Sequence, residues 1–333
     1  MTNHAVAAGV TDGELERAIE ERIGPVVSFG RRPWEYSTSA PLELITVRLH
    51  EGPVREFVLK HLSPRTMPEH ARIVKPAFVV RPGREIAVYR HLLAPAGIGP
   101  ALIASVSSDA DATYWLLTEK VEGIELYQVG DLSIWCSVAA WLAKMHEHFA
   151  TVNLDEARRE AALVSYDREW YAAWMTRALT FFAETDPAGS RRTRAALQWL
   201  AQRYSKVIDA MAAWPSTIIH GEFYASNVLC GDATGNRRVC PVDWEMTAIG
   251  PGIVDLAALT LGRWRETDRD AVIAAYAGVS KTLPRAEASE AVMLAQIHLS
   301  VQWLGWFGPY QPPPEHRLDW LNDAIERAEA LRL

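Results

Sequence analysis

Apolar residues at Leu15, Ile19 and Ile23 recur at every fourth position behind Thr11 and Asp12. This predicts a short amphipathic helix over 11–23 that either polar residue could cap. The period then changes. Segments 26–29, 42–49 and 55–62 are rich in β-branched and apolar residues and broken by Pro and Gly, which predicts consecutive antiparallel strands, with Pro53 at the turn between the last two. Helical spacing returns over 84–93, with Ile86, Tyr89 (or Arg90) and Leu93 on one side, and Pro95, Gly97, Gly99 and Pro100 are expected to end that helix. Two more short strands are expected over 101–106 and 114–118.

Beyond this point helices dominate. Ile134, Val138, Trp141, Met145 and Phe149 form one apolar stripe, and 166–182 and 191–213 read as two further helices separated by Asp186-Pro187-Ala188-Gly189. Strands at 216–219, 227–230 and 238–242 interrupt them, the last two joined as a hairpin through 231–236. Helices resume from Ile253 and are broken near Gln311-Pro312-Pro313-Pro314. The pattern is α+β: a strand-rich lobe with one long helix, then a larger helical lobe with an embedded hairpin. A cleft between two lobes is a favoured place for a ligand.

Composition narrows the classes. Of 333 residues, 49% are hydrophobic and 23% charged, which suits a globular chain rather than a disordered one. No apolar run approaches the roughly 18 residues of a membrane span. The first ten residues lack the basic-then-apolar pattern of a secretory signal, and Cys136, Cys230 and Cys240 lack ligand spacing, so a cytoplasmic location is expected. The charge of −7 leaves no electrostatic footprint for nucleic acid.

The chemistry concentrates in 218–229. An apolar strand runs through His220-Gly221-Glu222 into a polar loop and out past Asn227 into another apolar strand; Asp243 stands sixteen residues later, at the far end of the hairpin. A hairpin of that length can set Asn227 and Asp243 side by side, and two hard oxygen donors suit Mg²⁺.

This constellation resembles the aminoglycoside phosphotransferase and choline kinase-like family, relatives of the protein kinases, whose loop reads H-G-D-x-x-x-x-N and is followed by a hairpin ending in Asp. The resemblance spans roughly residues 36–261 and implies a bilobal protein kinase-like fold. It divides the chain into an N-lobe (1–118), a hinge (119–123) and a helical C-lobe (124–333). It further implies that Asn227 and Asp243 hold Mg²⁺, that Glu222 accepts the proton of an attacking hydroxyl, and that Asp255 braces the loop from behind, with His220 as a loop anchor. Lys60, at the end of an apolar strand, would bind the nucleotide phosphates with Glu85 as its partner. Ser37, Thr38 and Ser39 would line a glycine-free phosphate loop. The backbone of Glu119 to Val121 would meet the purine edge, ahead of the Glu122-Gly123 turn. Glu222 departs from the family Asp, and a misplacement of one methylene can cost about 10²-fold in rate.

The implied activity is an ATP- and Mg²⁺-dependent transfer of the γ-phosphate to a hydroxyl of a small molecule, such as an aminoglycoside or a sugar. Two alternatives stay open: a kinase acting on Ser or Thr of a precursor peptide, and a nucleotide-binding pseudokinase. ATP and GTP are not distinguished. His146 and His148, two apart on a helix, cannot chelate one metal together. The Trp170, Tyr171, Trp174 group and the Trp303, Trp306, Phe307 group read as core, the second as an acceptor-pocket lining should it face the cleft.

Overall fold

The computed structural model describes residues 10–34, 40–185, 191–231, 238–306 and 319–333. The first helix, α1 (Asp12–Ile23), starts on a capping box: Glu14 N–H donates to the Thr11 hydroxyl while the Glu14 carboxylate accepts from Thr11 N–H. Strands β1 (Val26–Trp34), β2 (Leu42–Leu49) and β3 (Arg55–His61) follow, then helices α2 (Glu69–Val74) and α3 (Arg84–Val88). Helical backbone continues through a π turn, Tyr89–Leu93, into α4 (Ala94–Ala96), and β4 (Leu102–Ser108) and β5 (Thr113–Glu119) complete an antiparallel sheet of order β1-β2-β3-β5-β4.

Alternation along the strands decides what each face of this sheet does. Ile45, Val47, Phe57, Leu59, Trp115 and Leu117 point one way and pack with Leu15 and Ile19, so α1 covers that face. Lys60 and Leu116, one position out of phase, point the other way, toward the helix that follows. Arg31 pins the start of α1 to the sheet: it makes two 2.7 Å contacts to the Glu43 carboxylate, with a further bond to Asp12 and one to the Val10 carbonyl. Burial works against the charge on Glu43, but His61 and Arg31 hold its carboxyl down at about 2.

Gly97, rather than Pro95, ends the long helix. The π turn shifts the hydrogen-bond ladder, Ala94 N–H reaching back to the Tyr89 carbonyl, and Pro95 is absorbed in the first turn of α4. Gly97 then takes φ +65° and a Schellman pair closes the end, with Ile98 N–H donating to Leu93 O at 3.0 Å and Gly97 N–H to Ala94 O at 3.3 Å.

The remainder is mainly helical: β6 (Ile124–Glu125), α5 (Leu132–Phe149), α6 (Leu154–Glu160), β7 (Val164–Ser165), α7 (Arg168–Thr185) and α8 (Arg191–Ala213). Then come β8 (Ser216–Ile219), β9 (Val228–Gly231), β10 (Arg238–Pro241) and β11 (Ala248–Pro251). Helices α9 (Ile253–Leu259), α10 (Glu266–Ala277), α11 (Ala288–Trp306) and α12 (Trp320–Ala330) close the chain. Strands β10-β9-β6 form one small sheet and β7-β11-β8 another, and both feed the loops between them into the floor of the cleft. One core runs from the underside of the large sheet through these helices, with Trp174, Tyr171 and Trp244 fully buried. No helix among the described residues is long and apolar enough to cross a membrane.

Ile19 is fully buried between α1 and the sheet. Ile19→Ala is expected to cost about 2–5 kcal/mol of unfolding free energy in a urea titration, by lost burial and a residual cavity.

Candidate active site

The sharpest local requirement is at Gly221. Its φ is +85°, and a Cβ there would run into the Met246 carbonyl, so the turn out of β8 accepts only glycine. The turn is held from behind by Asp255, fully buried near the start of α9. One carboxylate oxygen accepts from His220 N–H at 2.7 Å and the other from Gly221 N–H at 2.9 Å. The same carboxylate accepts from His146 Nε2 at 3.0 Å, and Nδ1 of that ring accepts from the Tyr276 hydroxyl at 2.7 Å. This accounts for the His146–His148 pair: His146 is a strut between α5, α9 and α10.

His220 itself is fully buried, and burial pulls its imidazole below the ordinary value. Its Nε2 donates to the Val242 carbonyl at 2.9 Å and its Nδ1 accepts from Glu222 N–H at 3.3 Å, so the ring ties loop to hairpin. Tyr224 N–H (2.7 Å) and Asn227 Nδ2 (3.0 Å) both donate to the Glu222 carbonyl. The backbone of Glu222 is therefore fixed, and the bond from Nδ2 turns the amide oxygen of Asn227 the other way. Val242 N–H donates to the Asn227 carbonyl at 2.9 Å, which brings the loop and the residue before Asp243 together.

Asp243 adopts a left-handed conformation, φ 61°, which Asp tolerates better than most residues and which swings its carboxylate across the cleft. There it meets Lys60 at 2.6 Å, and the same ammonium lies 2.7 Å from Glu85. Burial alone would lower the lysine, but Asp243 and Glu85 raise it well above the ordinary range. Asp243 is pushed up by burial and pulled lower still by Lys60, for a net fall. Glu85, more deeply enclosed, is raised to about 7, mainly by burial.

The structure thus brings together Lys60, Glu85, Asn227, Asp243 and Glu222. The hinge is only partly as expected. Glu119 closes β5, its N–H spent on the Ala101 carbonyl at 2.9 Å and its carboxylate held by Arg238, while Lys120 N–H donates to the Glu56 carbonyl at 3.2 Å. Val121 keeps its N–H out of these bonds. Ser37, Thr38 and Ser39 lie outside the described residues.

Two residues at the site carried no expectation. Lys75, just past α2 and buried, pairs with Glu245 on the turn that follows Asp243. Glu245 stands two residues beyond Asp243 and could have been suspected from that spacing, whereas Lys75 has no pattern around it. The aromatic groups divide. Trp170, Tyr171 and Trp174 are buried in the core, while Trp303 is half-buried with its ring 5.7 Å from Tyr224 of the loop; Phe307 lies outside the described residues.

Comparison with known proteins agrees with this geometry. The model of a family described as the phosphotransferase enzyme family matches residues 44–289. Among solved structures, wild-type aminoglycoside 2'-phosphotransferase-IIIa in its GDP complex is similar at a TM-score of 0.60 and 13% identity, over 96% of this chain and 98% of that one. Choline kinase from Cryptosporidium parvum Iowa II gives 0.57 and 14%, over 94% and 89%. The microcompartment-associated aminopropanol kinase gives 0.59 and 15%, over 91% and 90%. At these identities the likeness is one of fold, the bilobal protein kinase-like fold. No curated protein sequence matches the chain.

Two outcomes test the site as built. Asp255→Ala would leave two buried backbone donors unpaired and is expected to cost about 2–5 kcal/mol in chemical denaturation. Glu222 behaves oppositely: burial first, then Asp243 and Glu245, push its carboxyl up to about 8 against the pull of Lys75 and Lys60. Its folded value exceeds its unfolded one of about 4.3, so the stability it confers is full below that value and is lost as pH rises through about 8. Glu222→Gln is therefore expected to raise Tm, by more at about pH 9 than at about pH 5 in thermal melts. A gain equal at both would contradict this environment.

Proposed function

From the premise that this chain belongs to the phosphotransferase enzyme family, we propose that it is a small-molecule kinase transferring the γ-phosphate of ATP to an acceptor hydroxyl. The observation that carries this reading is the meeting of Lys60, Glu85 and Asp243 across the cleft, beside the loop that presents Glu222 and Asn227.

The roles follow from the donors. Lys60 is a cation fixed by two carboxylates at the cleft and would grip the nucleotide phosphates, with Glu85 setting its direction. The Asn227 amide oxygen and the Asp243 carboxylate are the sparse, hard donor set that Mg²⁺ takes from a protein, keeping water and phosphate for the rest of its shell. Bound there, Mg²⁺ would supply charge neutralisation at the phosphates. Val121 offers a backbone donor at the purine edge. Glu222 would accept the proton as the acceptor oxygen bonds to the γ-phosphorus and the bridging oxygen leaves with ADP. A carboxyl raised toward 8 is well matched to take a proton near neutral pH. The fixed backbone at 222 means the extra methylene relative to Asp is taken up by the side chain alone.

The test is acceptor-dependent ADP release, run with ATP and GTP against hydroxyl-bearing small molecules and a Ser/Thr peptide. Small-molecule-dependent release supports the reading; nucleotide binding without transfer to any acceptor, or transfer to the peptide alone, overturns it. Glu222→Gln is expected to lower kcat by about 10²–10⁴-fold while leaving the nucleotide Kd within a few-fold. In the parent protein kcat/KM should rise with pH up to about 8 and then level, because the base works only when deprotonated.

A further inference from the structure

Two consecutive residues of the linker between the lobes, Glu119 and Lys120, are each tied to a strand that leads into the site. Arg238, the first residue of β10, places Nη2 on the Glu119 carboxylate and on the Gly99 carbonyl, the latter at 2.8 Å. The same carboxylate oxygen accepts from Ala101 N–H at 2.9 Å. Lys120 Nζ reaches Glu56 of β3 at 2.7 Å and Glu122 at 2.8 Å, while Lys120 N–H donates to the Glu56 carbonyl at 3.2 Å. From Arg238 the chain runs through Pro241 and Val242 to Asp243, and from Glu56 it runs along β3 to Lys60. The Lys60–Asp243 contact thus closes one end of a frame whose other end is braced at residues 119 and 120.

The frame is tight at the backbone as well. A Cβ on Gly99, whose φ is +71°, would lie 3.2 Å from Trp244 Nε1 and 3.4 Å from the Pro241 carbonyl oxygen, so the turn ahead of β4 rests on the end of β10. At the far end of the linker, a Cβ on Gly123 would come within 3.0 Å of the Cys230 carbonyl oxygen, which seats the chain against β9.

Exposure decides what the two ion pairs contribute. Side-chain exposure is 49% at Arg238, 27% at Glu119, 24% at Lys120 and 35% at Glu56, and pairs this wet add little to folding stability. Their leverage on the site is larger. Four residues of strand, about 13 Å, separate Glu56 from Lys60, so a tilt of about 5° at the linker displaces Lys60 by about 1 Å. A shift of about 1 Å in a group that must meet its ligand squarely can cost about 10²-fold in rate. Atoms at the pivot itself hardly move.

We infer that Arg238 and Lys120 are positioning residues: by bracing the linker they fix the angle between the lobes and hold Lys60 and Asp243 at the spacing that the nucleotide phosphates require. This rests on the kinase reading above, in which the base sits at the linker and the phosphates at the far ends of the two strands.

The test separates pivot from lever arm, on the full chain, with two probes. Adenosine, followed by ligand-observed NMR at millimolar concentration, reaches the pivot alone; AMP-PNP with Mg²⁺, followed by calorimetry, spans both ends. Arg238→Met should weaken AMP-PNP about fivefold or more, and Lys120→Met by less, because its backbone bond to Glu56 survives. Both variants should leave adenosine within about twofold and Tm within about 3 °C, a split that general damage to the fold would not give. Exchanging the charges, Glu119→Arg with Arg238→Glu, should recover most of the AMP-PNP affinity lost in Arg238→Glu alone. Equal losses for the two probes, an unchanged AMP-PNP Kd with both braces removed, no recovery in the exchanged pair, or a parent that takes AMP-PNP but not adenosine would overturn the inference. A parent that binds neither probe would instead sink the kinase reading, so the two failures are distinct.

Discussion

The cleft depends on one buried carboxylate. Asp255 satisfies the backbone donors of His220 and Gly221 and anchors His146, so two helices and the end of a strand converge on two oxygen atoms. With that bond set in place the loop has a single path, since Gly221 cannot carry a side chain and His220 is tied to the Val242 carbonyl. The three residues proposed for the chemistry hang from this path: Glu222 by its pinned backbone, Asn227 by its amide, Asp243 through its neighbour Val242. The arrangement is rigid where it is buried and polar only at its tips, as a site built on positioning requires.

Charge crowding is the cost of that convergence. Glu85, Glu222, Asp243 and Glu245 share the cleft with Lys60, Lys75 and Arg84, and the pairing is uneven. Lys60 is held by two carboxylates and Lys75 by one, while Arg84 has only a carbonyl. Glu222 holds its proton tightly first because it is buried, and then because Asp243 and Glu245 repel its charged form against the pull of Lys75 and Lys60. Such crowding lowers stability as pH rises and Glu222 is forced to ionise.

Much of this was legible from residue order. Strands β2 and β3 follow from their β-branched and apolar runs broken by Pro and Gly, and the spacing His220–Asn227–Asp243 carried the loop and hairpin. What escaped has physical reasons. Strands β6, β7 and β11 are two to four residues long, too short for any period to show. Pro95 reads locally as a helix stop and is overruled by the π turn ahead of it. Lys75 and Arg84 reach the cleft through an irregular connection, so their approach is a tertiary fact that no local spacing encodes. The linker backbone, whose bonding depends on β3 and β4 lying alongside, escaped for the same reason.

The contact between Lys60 and Asp243 joins the sheet to the helical half of the molecule through opposite charges. Under the proposed function, this aspartate sits at the place on the ammonium that an incoming phosphate would claim. Arrival of such an anion is thus an exchange of counter-ions, and its measured affinity is a difference between two salt links rather than the strength of one. Because added electrolyte weakens both, that affinity should vary with ionic strength less steeply than the ligand's charge alone would suggest.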